Sequence, residues 1–383
     1  MTEKLFYKDA YLSEFMAQVL DCRAVNRGYA VVLDRTAFFP EGGGQPGDTG
    51  VLGEANVLDT HDKSGEILHY TDAPLAVGTT IKGKIDWERR FDLMQQHSGE
   101  HIVSGLVHER YGYENVGFHM GADVITIDFS GVLSLSQLHE VELLANQKLW
   151  ENNRVQIACY HGEELDHLVY RSKKALEGEV RIVRFPGADT CACCGTHVKR
   201  TGEIGCIRLL NVQHLREGVR VEMVSGLRCL SYFRAIADEN HRVSIALSAQ
   251  ERETSTAVNR LKEENQQLKN RVAELETQRF EALSREYSGA GSALIFEPGL
   301  SPDSVRRLCV AVMEGRCGKC AVFSGDDGNG YKYAVGETGG DLREFIKKMN
   351  AELKGRGGGK PFFAQGSVMA HEKEIRKFFS VSK

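Results

Sequence analysis

Two short segments carry residues that can bind a metal ion. His97 and His101 stand four positions apart where the pattern predicts a helix, so both imidazoles project from one face and can reach the same ion. Residues 191–197 hold three cysteines and His197, a soft ligand cluster that suits Zn²⁺. Together the two segments predict one tetrahedral zinc site.

The residue pattern leaves the sulfur ligand and the role of the ion open. Cys191 and Cys194 are alternatives to Cys193 as the thiol ligand. Four protein ligands make a zinc ion structural, whereas a catalytic zinc keeps one position for water. Residues 97–101 also fit H-x-x-E-H, the inverted zinc-peptidase motif, in which Glu100 would be the general base. The peptidase alternative needs a further acidic ligand and leaves the cysteine cluster unexplained.

A mixed α+β architecture must position these segments. Short alternating apolar runs predict a small β-barrel or sandwich in residues 1–90. Residues 91–230 predict an α/β domain that contains the metal site. Within it we expect a helix over 91–113, and another from a capping box at Ser134 to about residue 152.

A long helical segment separates the second domain from the last. Residues 231–286 contain neither Gly nor Pro, which predicts one long helix or a helical pair. A heptad stripe runs over 258–282, and its polar member Asn265 can fix register and partner number. The stripe predicts either a homodimeric coiled coil or an intramolecular helical hairpin. Its other members are Val258, Leu261, Leu268, Val272, Leu275 and Ala282.

The last segment, residues 287–383, predicts a small α/β domain with a basic face. Residues 341–383 hold ten Lys and Arg against five acidic residues, a local charge of +5. A glycine-rich loop is predicted over 355–361, where backbone N–H groups and basic side chains can contact phosphate. Phe362 and Phe363 beside it either stack on bases or belong to the core.

Composition narrows the class of protein. The chain has 383 residues, of which 26% are charged and 42% hydrophobic, as in a globular protein of two or three domains. A net charge of −5 excludes nucleic-acid affinity through net charge, but not through a local basic face. Neither a membrane-spanning run nor a signal peptide is evident, so the ten cysteines are predicted to be reduced thiols or metal ligands in a cytoplasmic protein. Cys317 and Cys320 have redox-motif spacing, but are predicted to be structural thiols.

The metal segments resemble the editing domain of alanyl-tRNA synthetases and the free-standing alanyl-tRNA editing proteins. The family pattern is H-x-x-x-H followed by C-x-x-x-H, although the family usually has Cys-Gly-Gly-Thr-His where Cys194 stands here. Carried over, this pattern gives the ligands His97, His101, Cys193 and His197. Further family motifs are matched, in the family's order, by residues 38–50 with the Gly-Gly-Gln motif, 201–205, 218–226 and 356–366.

This resemblance implies a trans-editing hydrolase in the long form, which keeps the DHH-associated C-terminal domain that binds tRNA or assists dimerisation. Its substrate would be alanine tRNA mischarged with serine, with glycine as a second candidate. Thr36 and Gln45 are carried over as candidates for recognising the serine hydroxyl, because alanine would leave such buried polar groups unpaired. Zinc would either activate water or orient the 3′ end. The non-enzymatic alternative is a tRNA-binding module with a structural zinc. The candidate RNA-binding residues are Arg356, Gly357, Gly358, Gly359, Lys360 and Gln365.

Overall fold

The computed structural model describes residues 2–172 and 178–381. It confirms the mixed α and β class and divides the chain into two compact units, one ending at Arg242 and the other beginning at Val243. The predicted four domains, 1–90, 91–230, 231–286 and 287–383, stay a prediction. Lys383, one of the ten basic residues counted above, lies outside the described residues.

The first unit is built from fifteen described strands and five described helices. The strands are β1 Glu3–Lys4, β2 Glu14–Val25, β3 Gly28–Leu33, β4 Arg35–Thr36, β5 Gly50–Leu52, β6 Ala55–Lys63, β7 Glu66–Thr71, β8 Thr80–Ile85, β9 Asn115–Met120, β10 Ile125–Phe129, β11 Gln156–His161, β12 Glu179–Phe185, β13 Asp189–Ala192, β14 Ile207–Leu215 and β15 Gly218–Ser225. The helices are α1 Leu5–Lys8, α2 Trp87–Tyr111, α3 Leu135–Trp150, α4 Glu163–Asp166 and α5 Gly226–Ala246, the last of which crosses the division between the units.

Six antiparallel strands close a barrel in the order β2-β3-β7-β6-β5-β8. The glycine-rich segment between β4 and β5 is attached to helix α2 by a buried ion pair. Arg90 of α2 is fully buried, pairs with Asp48 of that segment and donates to the carbonyl oxygen of Ala37 at 2.7 Å. The glycine-rich segment is therefore held against α2, the helix that carries the predicted metal ligands His97 and His101.

Helix α2 begins at Trp87, four positions before the predicted start. Asp86 caps it by accepting a hydrogen bond from the backbone N–H of Arg89 at 3.2 Å, and Gly112 ends it in the left-handed region at φ 68°. The capping box at Ser134 is confirmed, and helix α3 ends at Trp150 rather than at residue 152. Cap geometry decides these ends more accurately than the apolar period does.

Helix α2 lies in the core of the first unit. It packs with α3, the sheet β14-β15-β10-β9 and the sheet β11-β12-β13, and most of its residues from Leu93 to Val107 are buried. Gln96 locks it to β15, because its side chain donates to the carbonyl oxygen of Ser225 at 2.9 Å and accepts from the N–H of Ser225 at 2.8 Å. Histidines on such a helix have their positions fixed by packing.

The second unit contains a five-stranded sheet in the order β16-β17-β18-β20-β19, with a hydrophobic core on each side. Its strands are β16 Ser292–Phe296, β17 Lys319–Asp326, β18 Gly330–Glu337, β19 Arg356–Lys360 and β20 Phe363–Val368. Its helices are α6 Thr254–Glu286, α7 Pro302–Glu314, α8 Arg343–Glu352 and α9 Glu372–Val381.

The prediction of a glycine-rich loop over 355–361 is wrong. Residues 356–360 form strand β19, which pairs with β20 at the edge of the sheet. A Cβ at Gly357 or Gly359 would collide with the backbone of β20, so the glycines allow a close strand pairing rather than a loop.

The helical segment predicted over 231–286 consists of two helices, α5 and α6, with residues 247–253 between them. The heptad side chains of α6 are exposed, from 38% at Val258 to 65% at Leu268. The other end of α6 is anchored, since Phe280 and Leu283 are buried in a core of the second unit. The pairing of the heptad stripe, with a second copy or within the chain, stays a prediction.

No helix in the part of the chain that the structure describes is both long enough and apolar enough to cross a bilayer.

Candidate metal centre

Four side chains from two distant segments converge at one point. The ligand atoms of His97 and His101 on α2, and of Cys193 and His197 after β13, all lie within 4.8 Å of one another. The ring centroids of the three histidines are 4.5 to 5.3 Å apart. The three histidines are almost completely buried. The structure thus brings together all four predicted ligands.

Gln45 sets the orientation of His97. Its Oε1 lies 3.0 Å from Nδ1 of His97 and also accepts from the backbone N–H of Thr196 at 3.1 Å. Its amide nitrogen donates to the Thr196 hydroxyl at 2.7 Å, which fixes Oε1 as the acceptor toward the imidazole. His97 therefore carries its proton on Nδ1, and its Nε2, 3.5 Å from the Cys193 sulfur, is left to bind an ion.

His101 is oriented by a carboxylate. Its Nδ1 lies 2.8 Å from Oδ2 of Asp189. The Nε and Nη2 of Arg171 donate to Oδ1 and Oδ2 of that carboxylate, each at 2.8 Å. A carboxylate behind a histidine is the usual outer support of a zinc ligand, because it fixes the tautomer and makes Nε2 more basic. The bidentate contact with Arg171 keeps that carboxylate in place.

His197 and Cys193 are positioned by the side chains of Ser98 and Arg181. Nδ1 of His197 lies 3.2 Å from the Ser98 hydroxyl, and its Nε2 lies 3.3 Å from the sulfur of Cys193. Arg181 donates to the carbonyl oxygens of Cys193 and Gly195 at 2.6 and 3.0 Å, which fixes the turn between the two ligands. A Cβ at Gly195 would collide with the His97 ring, so only glycine lets this turn approach the cluster.

The electrostatics of the cluster favour a thiolate. Burial alone would raise the pKa of Cys193, but the surrounding imidazoles lower it well below its ordinary value. Burial lowers the pKa of His197 to about 3, which keeps this imidazole neutral. At His101 burial also lowers the pKa, but the negative charge of Cys193 and the contact with Asp189 outweigh it and raise the pKa well above its ordinary value, so this imidazole must release a proton when it binds an ion. A thiolate and neutral imidazoles are the forms that bind metal ions.

The donor set fits Zn²⁺. One thiolate and three imidazole nitrogens converge, and each of the three histidines has its other nitrogen within hydrogen-bond distance of a polar group. This soft, mostly nitrogen set is typical of zinc rather than of magnesium or calcium, which prefer oxygen ligands. Asp189 contacts the far nitrogen of His101, so the acidic ligand that the peptidase alternative requires is not in this cluster of described residues.

The other two cysteines of the segment differ in position. Cys191 is buried and forms a second compact group with His101 and Asp189, whereas Cys194 is exposed. Neither belongs to the four-residue cluster, so Cys193 is the thiol that the geometry favours.

A cavity of about 510 Å³ opens beside the cluster. Its volume is within the range of small-molecule sites, roughly 300–1,000 Å³. One part of it is lined by His97, His101 and Cys193. It is also lined by four charged side chains, those of Glu100, Arg171, Glu179 and Arg181. Gly44 of the glycine-rich segment and Phe118 of β9 also line this cavity.

Thr36 lies elsewhere, in the barrel core. It is fully buried, its hydroxyl lies 2.8 Å from Nε2 of His69, and its oxygen accepts from the N–H of Phe38 at 3.0 Å. Burial lowers the pKa of His69 to about 4, and its Nδ1–H donates to the carbonyl oxygen of Val31 at 3.0 Å, so neutral Nε2 accepts from Thr36. Neither Thr36 nor Gln45 is among the described residues lining the cavity, and their part in substrate recognition stays a prediction.

The predicted RNA-binding residues lie on the neighbouring strands β19 and β20, and five of the six line one of two separate cavities. Residues 357–360 of β19 line a cavity of about 350 Å³ together with Arg343 and Lys347 of α8. Gln365 lines a different cavity, of about 560 Å³. Phe362 is 51% exposed, whereas Phe363 packs against a core.

Sequence reasoning missed the residues that support the ligands. Asp189, Arg171 and Ser98 contact the histidines or their partners, and Arg181 holds the ligand turn. Ser98 and Asp189 stand close to ligands in the sequence, a usable if weak signal. Cys317 and Cys320 are buried free thiols, as expected for structural cysteines.

Three sequence families match separate parts of the chain. Residues 4–89 match tRNA synthetases class II (A), residues 180–222 match the Threonyl and Alanyl tRNA synthetase second additional domain, and residues 289–381 match the DHHA1 domain.

Individual proteins also resemble the chain. Alanyl-tRNA editing protein AlaX-L of Pyrococcus horikoshii is 29% identical over 98% of this chain and 96% of its own length. Alanyl-tRNA editing protein Aarsd1-A of Xenopus laevis is 32% identical over 59% of each chain. An alanine–tRNA ligase of Halorubrum lacusprofundi is 32% identical over 95% of this chain, which spans 42% of the ligase. The C-Ala domain of Aquifex aeolicus alanyl-tRNA synthetase aligns with 24% of this chain, and 88% of its own, at 19% identity and a TM-score of 0.22. The match to AlaX-L over nearly the whole chain, together with the three family models, confirms the resemblance to alanyl-tRNA editing proteins.

Proposed function

We propose that this chain, which resembles the alanyl-tRNA editing proteins along nearly its whole length, hydrolyses the ester that joins a wrong amino acid to alanine tRNA. Serine is the first substrate to consider and glycine the second. In the reaction, water adds to the ester carbonyl, the bond to the ribose oxygen breaks, and that oxygen takes a proton. The products are free serine and uncharged tRNA.

The observation that carries this proposal is the convergence of His97, His101, Cys193 and His197 at one side of a cavity of about 510 Å³. A zinc ion that was only structural would need no adjoining cavity with charged walls. Here three of the four candidate ligands, His97, His101 and Cys193, also line the space where an aminoacyl end can enter.

Zinc held by these four residues would supply either a Lewis acid beside the ester, if it took a fifth ligand, or a fixed point that orients the 3′ end. The chain itself supplies the surroundings. Gln45 and Asp189 hold two ligand imidazoles in place, and Arg181 fixes the turn that carries the thiolate. The guanidinium groups of Arg171 and Arg181 put positive charge in the wall of the cavity, where the ester oxygen gains negative charge in the transition state.

The second unit is proposed to bind the tRNA body. The basic cavity between α8 and β19 is lined by Arg343, Lys347 and Lys360, and exposed strand β19 adds Arg356. Basic side chains of this kind contact phosphates and position RNA without reading its sequence. A homodimer through the exposed heptad stripe of α6 is proposed as the assembly.

The test uses alanine tRNA charged separately with serine, glycine and alanine. We expect the protein to release serine and to spare alanine. Cys193→Ser should lose both bound zinc and release of serine, whereas the matched variant Cys194→Ser, at an exposed position outside the cluster, should keep both. Binding of the tRNA without release of any amino acid would favour the non-catalytic tRNA-binding module instead.

A further inference from the structure

Glu100 is a buried carboxylate beside the metal cluster that has no place in the chemistry described so far. It lies on α2 between the two ligand histidines, is 4% exposed and lines the cavity. Its Oε1 accepts from the Ser104 hydroxyl at 2.6 Å and from the side-chain amide of Asn115. These two neutral donors fix the direction of the carboxylate.

The second oxygen of this carboxylate, Oε2, has no hydrogen-bond donor among the described residues. Within residues 2–172 and 178–381, no side chain or backbone N–H donates a hydrogen bond to Oε2, and no Lys or Arg lies within ion-pair distance of Glu100. The Arg171 guanidinium donates its hydrogen bonds through Nε and Nη2 to Asp189. Oε2 lies 4.0 Å from Nε2 of His101, which places it at the edge of the metal cluster.

The surroundings of Glu100 have more acceptors than donors. Oδ1 of Asn115 is buried and has no hydrogen-bond partner among the described residues, while its Nδ2 donates to Glu100 and to the Ser104 hydroxyl. A buried carboxylate oxygen without a donor is costly, and Arg171 acts on Glu100 through its charge alone, so the site is best completed by a ligand that brings positive charge and several N–H donors. A primary ammonium group has both properties.

We propose that Glu100 binds the α-ammonium group of the aminoacyl ester and so restricts the site to esters with a free α-amine. This inference rests on the proposed function. In an aminoacyl ester only the α-carbon separates the ammonium nitrogen from the carbonyl carbon. A carbonyl held against the histidine cluster therefore places the ammonium within reach of Oε2. Every amino acid carries this group, so Glu100 selects the class of ester and does not separate serine from alanine.

The test compares two esters of alanine tRNA, one of serine and one of its α-hydroxy analogue, in which a neutral hydroxyl replaces the ammonium. Glu100→Gln keeps the shape of the side chain and an oxygen that accepts from Ser104 and Asn115, but removes the charge. We expect kcat/KM for the seryl ester to fall roughly ten- to a hundredfold, as for loss of a charged hydrogen bond, and kcat/KM for the hydroxy ester to stay within threefold of the parent. Because each ester is compared between parent and variant, its intrinsic reactivity cancels.

Glu179→Gln is the matched control, since it removes a negative charge from the same cavity at an exposed position. It should change the two esters by the same factor. Equal losses on both esters with Glu100→Gln would overturn the proposal and indicate a role in water activation or in folding. Zinc content and thermal unfolding of the variant separate those two roles.

A measurement on the parent protein keeps the proposal testable if Glu100→Gln does not fold. The parent should leave N-acetylseryl-tRNA intact while it hydrolyses seryl-tRNA, because acetylation removes the positive charge. Hydrolysis of both at the same rate would overturn the role of Glu100 alone. Hydrolysis of neither would overturn the proposed function, and this inference with it.

Discussion

Replacing Gln45 with alanine tests whether this residue acts on the metal centre or on the substrate. The structure joins its side chain to His97 and Thr196 by three hydrogen bonds of 2.7 to 3.1 Å, in a site that is fully buried. Gln45→Ala removes all three. The Nδ1–H of His97 and the backbone N–H of Thr196 are then left as buried donors without acceptors.

The size of the effect follows from those lost contacts. A buried donor without a partner costs about 1–3 kcal/mol, so the two donors together should destabilise the zinc-bound fold by about 2–6 kcal/mol. Loss of the group that orients a ligand histidine typically weakens metal affinity about ten- to a hundredfold. We therefore expect the zinc dissociation constant of Gln45→Ala to rise by that factor.

Zinc affinity is measured by competition with a chromophoric chelator, alongside urea unfolding of the zinc-bound protein. Gln45→Glu is the matched variant, because a carboxylate still accepts from Nδ1 of His97, and it should keep an affinity close to that of the parent. A purely substrate-recognising Gln45 would give the opposite pattern, with parental zinc affinity in Gln45→Ala and a raised KM. That result would refute the role in orienting His97.

Three further perturbations have expected outcomes. Folding lowers the pKa of His69 from 6.5 to about 4, so between these pH values only the unfolded chain binds the proton. The free energy of unfolding should therefore rise by about 2 kcal/mol from pH 5 to pH 8. Urea unfolding at both pH values checks this, and an equal rise in the parent and in His69→Gln would contradict it. The double variant Arg356→Ala with Lys360→Ala should weaken tRNA binding and reduce the slope of log affinity against log salt by roughly 1.5, whereas Arg285→Ala, an exposed change on α6, should leave the slope unaltered. Asn265→Leu should change the oligomeric state in sedimentation if α6 pairs with a second copy, and an unchanged sedimentation coefficient would argue against that pairing.

Much of the local structure follows from local residue patterns. Gly112 marks the end of α2 and the capping box at Ser134 marks the start of α3, because their backbone angles and hydrogen bonds involve only neighbouring residues. The i, i+4 spacing of His97 and His101 likewise places both imidazoles on one face of α2. The predicted loop over 355–361 failed because a run of glycines suits a turn and a close strand pairing equally well, and only the position of β20 decides between them.

The supporting residues of the metal centre could not be found in this way. Gln45 reaches His97 across 52 positions and Asp189 reaches His101 across 88, so these contacts depend on how the barrel, α2 and β13 pack. The sequence by itself determined which residue types can bind a soft metal ion, since that depends on the chemistry of imidazole and thiolate. Only the tertiary structure decided that Cys193 rather than Cys191 or Cys194 joins the three histidines. It alone also placed Oε2 of Glu100 4.0 Å from Nε2 of His101 with no hydrogen-bond donor among the described residues, because direction and burial arise from packing among residues far apart in the chain.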